Sequence, residues 1–138
     1  MWLKLLLLIT CSSVAHANMT LAQQVLEQPQ IVGQARLKVL LFKVYDATLY
    51  APQGRYSPDD QFALTLRYLR AFDGDKIAQR SVEEMRKQGY TNERKLAQWL
   101  RQMTALFPNV QAGTELTAVK TSSGDAVFYR GLERIGQI

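Results

Sequence analysis

The sequence predicts an α+β domain in which an antiparallel sheet packs against helices. Three observations carry this. Residues 30–70 read as strands, rich in β-branched and aromatic residues; apolar residues recur at helical spacing through residues 73–107, and the strand pattern returns from Thr114. The order strands, helices, strands favours a sheet with its helices on one face. The 138 residues suffice for one domain but not comfortably for two. A composition 47% apolar and 21% charged is that of a folded chain.

The N-terminus reads as an export signal. Met1 to Thr10 places Lys4 beside the apolar run Leu5 to Ile9, and Ala15-His16-Ala17 follows as a small-residue cleavage site. The run is far shorter than the roughly 20 residues of a membrane span. Cleavage after Ala17 is expected, with lipid attachment at Cys11 as the alternative. The mature domain, residues 18–138, would then be periplasmic or secreted. Its formal charge stays positive, because the formal +5 of the whole chain loses only Lys4.

Asn18 to Gln28 suits a short helix, with Met19, Ala22, Val25 and Leu26 near one face and Pro29 as the stop. Ile31 to Lys38 and Leu40 to Ala51 read as strands, ended by Pro52-Gln53-Gly54. The second is apolar on both faces, which predicts a central strand with layers above and below it. Gln61 to Arg70 alternates cleanly, with Phe62, Leu64, Leu66 and Tyr68 on one side. Asp73 and Asp75 precede a helix with Ala78, Val82 and Met85 inward, ended by Gly89. Thr91 caps a second helix, on which Leu96, Trp99, Leu100, Met103, Leu106 and Phe107 form a stripe closed by Pro108. Thr114 to Thr121 and Ala126 to Arg130 make a hairpin around Ser122-Ser123-Gly124-Asp125.

The residues that carry chemistry are few. His16 and Cys11 are the single His and the single Cys. Both lie near the start, and Cys11 and His16 are lost if residues 1–17 are removed. The mature chain would then lack His or Cys metal sites, thiol nucleophiles, disulfides and Ser-His-Asp triads. No metal and no cofactor is expected; Gly33 and Gly54 stand alone and form no phosphate loop. Arg36 lies in an otherwise apolar neighbourhood, and Tyr45 projects from the strand that follows. If those strands pair, the two would converge on one point, a guanidinium fork and a phenol suited to a carboxylate or enolate oxygen. The alternative is an edge Arg at the surface and a core Tyr. Lys43 and Asp46 read as pocket groups, or as a strand end or local ion pair. The basic helical region (Lys76, Arg80, Arg86, Lys87, Arg94, Lys95, Arg101) reads as a solvated face, with contact to an anionic membrane surface as the alternative. Export, and the lack of a nucleic-acid motif, argue against a nucleic-acid partner.

An ordered series of motifs resembles the chalcone isomerase-like domain. Val32-Gly33-Gln34-Ala35-Arg36, then Leu41 to Tyr50, resembles its start, and Leu64-Thr65-Leu66-Arg67-Tyr68 its next strand. Ile77-Ala78 with Glu84-Met85, then Trp99 with Phe107 to Gly113, resemble its helices. Phe128 to Gly131 with Ile135-Gly136 resembles its late hairpin. The likeness is nearest to the bacterial exported branch. The resemblance implies an open-faced β-sandwich. It also implies a helical end containing a Trp, beyond the point where this sequence stops. Enzymes of the family close a flavonoid ring, with an Arg matched here by Arg36 and a Thr where this chain has Tyr45, a departure from the enzyme pattern. Non-enzymatic members bind fatty acids, with an Arg and a Tyr on the carboxylate that Arg36 and Tyr45 resemble. The resemblance therefore implies a non-enzymatic binding protein for a fatty acid or similar apolar carboxylate. The alternatives are an isomerase on an enone or polyphenol, in which Arg36 stabilises oxyanion charge, and a ligand-free scaffold.

Overall fold

The computed structural model describes residues 14–138, so the apolar run after Met1 and Cys11 lie outside the described residues. Helix α1 (Val14–Val25) leads into strands β1 (Pro29–Val39), β2 (Phe42–Pro52) and β3 (Phe62–Tyr68). Helices α2 (Gly74–Lys87) and α3 (Glu93–Leu106) follow, then β4 (Glu115–Lys120), β5 (Ala126–Arg130) and β6 (Glu133–Gln137). The six strands form one antiparallel sheet in the order β1-β2-β3-β4-β5-β6. This is the α+β architecture that the sequence predicts, an antiparallel sheet packed against helices.

Helices cover both faces, which corrects the expectation of one covered face. Successive strand residues point to opposite sides, and the register sorts them. Tyr50, Ala63 and Val119 share the face that receives Ala22 and Leu26 from the α1 end of the chain. The other face carries Tyr45, Leu66, Tyr68 and Leu116, packed with Phe72, Ile77, Val110 and Ile135. Ala78, Val82, Leu96 and Met103 make the α2–α3 seam, where Leu96 is fully buried. The α1 packing residues lie beyond Ala17, so cleavage there would leave Leu21, Ala22 and Leu26 in the core.

Helix starts follow local chemistry. Asn92, and not Thr91, caps α3: its Oδ1 accepts from the Lys95 amide at 3.1 Å. Asp73 occupies the N-cap position of α2 without a side-chain bond. Instead, Asn109 Oδ1 accepts from the Gly74 amide at 2.9 Å, pinning the start of α2 to the segment after α3. β6 was not foreseen as a strand. Glu133-Arg134-Ile135-Gly136-Gln137 has little β propensity, and it is held by β5 on one side while Gly136 rests against Leu106 of α3.

The chain over Leu40 and Leu41 departs from the expected strand. These residues form the tip of the β1–β2 hairpin, with Val39 opposite Phe42 and Lys38 opposite Lys43. β2 is therefore layered only in its C-terminal half, where Thr48, Tyr50 and Ala51 are buried.

Candidate functional site

Register decides where the two predicted ligand residues go. Arg36 is opposite Asp46, and Tyr45 is opposite Leu37 and Tyr68. As neighbours on β2, Tyr45 and Asp46 point to opposite faces, so Arg36, which meets Asp46, and Tyr45 leave the sheet on opposite sides. The strands pair as the sequence predicts, but the one-residue offset prevents the convergence.

Arg36 makes a two-pronged ion pair with Asp46. Nε donates to Oδ1 at 2.6 Å and the terminal nitrogen to Oδ2 at 2.9 Å. Asp46 is thus the ion-pair partner that the sequence allowed. It also lies opposite Arg67 of β3, whose Nε is buried without a hydrogen-bond partner among the described residues. Arg36 first, by its hydrogen bond, then the charges of Arg67 and Lys43, hold the Asp46 carboxyl below the usual aspartate range against the opposing effect of burial. The pair lies at the surface, where solvent screens it, so its contribution to stability is small. Because the folded value is lowered, the contribution is present above the ordinary aspartate range and is lost as pH falls through the lowered value. NMR titration should show Asp46 losing its charge at lower pH than a free aspartate, and Arg36→Ala should move that transition upward. An unmoved transition would mean that the pair does not persist in solution.

Tyr45 is half-buried beneath α2. Its ring meets Tyr68 edge-on, with centroids 5.8 Å apart and planes at 71°. Burial raises the pKa of the Tyr45 phenol, and that of Tyr68 is pushed up to about 12 by burial and then by Tyr45. Both hydroxyls are therefore neutral donors at physiological pH.

Arg36 borders a depression of about 440 Å³ near the tip of the β1–β2 hairpin. Lys43 and Arg70 complete its cationic rim, and Leu41, Phe42 and Leu69 supply its apolar wall. The Arg70 guanidinium lies 4.3 Å from the centre of the Phe42 ring. Asp46 already engages Arg36, whereas Lys43 and Arg70 form no ion pair among the described residues. Its volume falls within the roughly 300–1,000 Å³ of small-molecule sites, but it is wide open to solvent; its cationic rim and apolar wall are complementary to an anionic head on an apolar body. Sequence reasoning missed Arg70 and Leu69, which follow β3 and reach the site only through the sheet. Three of the helix cations are paired. Arg80 and Lys87 meet Glu84, and Arg86 meets Glu93 through two bonds.

No protein-family model matches the sequence, and no curated protein matches it. A solved structure does match. The chain aligns with the crystal structure of an Arabidopsis thaliana fatty-acid binding protein at a TM-score of 0.60 and 11% sequence identity, over 81% of this chain and 73% of that one. The likeness shows a shared fold.

Proposed function

We propose that the chain is a non-enzymatic binding protein for a fatty acid or similar apolar carboxylate. We also propose that it is exported to the periplasm or cell exterior, as the bacterial exported branch of chalcone isomerase-like domains would be. The observation that carries the ligand reading is the hairpin-end depression, with Arg36, Lys43 and Arg70 around Leu41, Phe42 and Leu69. The fold shared with a fatty-acid binding protein supports it. The carboxylate would take the charges of Lys43 and Arg70 and share Arg36 with Asp46. Tyr45 stands beneath α2 on the other face, so this reading gives it no place at the carboxylate. Each head contact at this open site is screened by solvent and weak, whereas each methylene of the tail that becomes buried adds about 0.8 kcal/mol.

The test is calorimetric titration with dodecanoate below its micelle concentration. Saturable binding is expected, weakened several-fold in Arg36→Ala and more in the double variant Lys43→Ala with Arg70→Ala. Asp46→Asn, which frees the Arg36 fork, should tighten it. Binding that none of these substitutions alters, or no saturable binding, overturns the assignment. For export, N-terminal sequencing of the protein recovered from the periplasm should begin at Asn18.

A further inference from the structure

The tip of the β1–β2 hairpin does not suit its surroundings by either of two measures. Val39, Leu40, Leu41 and Phe42 are all exposed, with Leu40 at 90% and Leu41 at 95%. Leu40 also has φ 55°, a left-handed conformation that favours Gly, Asn or Asp and penalises a Cβ-bearing apolar residue. Tight hairpin turns ordinarily carry those polar or small residues. Leu40 is therefore disfavoured by the backbone and by water alike, and Leu41 by water. A contiguous exposed apolar patch of this kind marks an interaction surface.

The charges around the tip indicate what it meets. Lys38 and Lys43 face each other one step behind it, and Arg70 lies against Phe42. None of the three forms an ion pair among the described residues; Asp46, which feels the Lys43 charge, is already held by the Arg36 fork. An apolar wedge with a collar of unpaired cations is complementary to an anionic bilayer, whose acyl region takes the leucines while its headgroups take the lysines.

We infer that the β1–β2 hairpin is a membrane-docking element that inserts Leu40 and Leu41 into an anionic lipid surface, with Lys38, Lys43 and Arg70 at headgroup level. The inference shares Leu41, Lys43 and Arg70 with the proposed ligand site but does not rest on it: the vesicles contain no free fatty acid and the dodecanoate titration contains no lipid, so either reading can fail alone. Leu41→Trp in the full chain places a reporter at the tip, and the emission of the unmodified protein is subtracted. With vesicles of equal parts phosphatidylglycerol and phosphatidylcholine, this emission should move to shorter wavelength and be quenched by brominated acyl chains. Vesicles of phosphatidylcholine alone should produce much less, and added salt should reverse the shift. In the same background, Lys38→Glu should weaken vesicle affinity by about fivefold or more for each charge changed. Leu40→Asn should weaken it by at least about tenfold. Asn suits the positive φ, so that variant should melt no lower than its parent, which separates loss of docking from loss of fold. Three results would each overturn the inference. These are an emission that ignores anionic vesicles, vesicle affinity unchanged in Leu40→Asn, and a shift that follows protein concentration without lipid, which would assign the tip to a second copy of the chain.

Discussion

Gly74→Ala is expected to destabilise the domain by about 2–4 kcal/mol. A Cβ at Gly74 would overlap the Phe107 carbonyl oxygen and lie 2.8 Å from the Pro108 oxygen. Those atoms belong to backbone and have no rotamer by which to withdraw. The same junction is held by the Gly74–Asn109 bond and by a reciprocal pair of backbone bonds between Phe72 and Val110, at 3.1 and 2.9 Å. Relief of the clash would therefore part α2 from the exit of α3. Urea unfolding should show a lower midpoint with an unchanged slope. A midpoint equal to that of the parent would mean that the two segments do not approach so closely. Asn109→Ala removes only the cap-like bond and should cost less, about 1–2 kcal/mol.

Leu96→Ala should cost about 3–5 kcal/mol. Leu96 has no exposed surface and packs with Ala78, Val82 and Met103, two of them small residues with little side chain to move into a void. The cavity would stay open, and the penalty falls at the upper end when a site cannot collapse. A domain stability of roughly 5–15 kcal/mol makes that loss a large fraction of the whole. Leu96→Met conserves volume and should cost less than about 1.5 kcal/mol. Thermal or urea unfolding of the pair separates cavity formation from a general intolerance of substitution at that position.

The sequence was legible where one physical signal dominated. The period of two through Phe62–Tyr68 and the stripe of Leu96, Leu100 and Met103 each matched an observed element. It failed where two signals competed. Leu40 and Leu41 have the apolar character of strand residues, and no Gly, Asn or Asp marks the turn they occupy. The symmetric run Lys38-Val39-Leu40-Leu41-Phe42-Lys43 was the available clue. The convergence of Arg36 with Tyr45 failed for a different reason. Facing depends on register, and a shift of one residue exchanges the faces of a strand. The second helix-covered face followed the same logic, since the α1 stripe predicted a helix without saying which side of the sheet it would take.

The strictly sequential strand order has a consequence for the path to the native state. Every neighbouring pair except one is joined by a short connection, so those pairings form locally and fast. The exception is β3 with β4, whose union encloses residues 69–114 and carries the largest closure entropy. The bonds between Phe72 and Val110 clip the two ends of that excursion together near its base. Once α2 and α3 have formed and the clip is made, the remaining closure is short. The buried hydroxyl pair of Thr65 and Thr117, 2.8 Å apart, is satisfied only in the observed register. Contact order thus predicts that closure across the helical insert is the slow step of folding, with the two threonines holding its register.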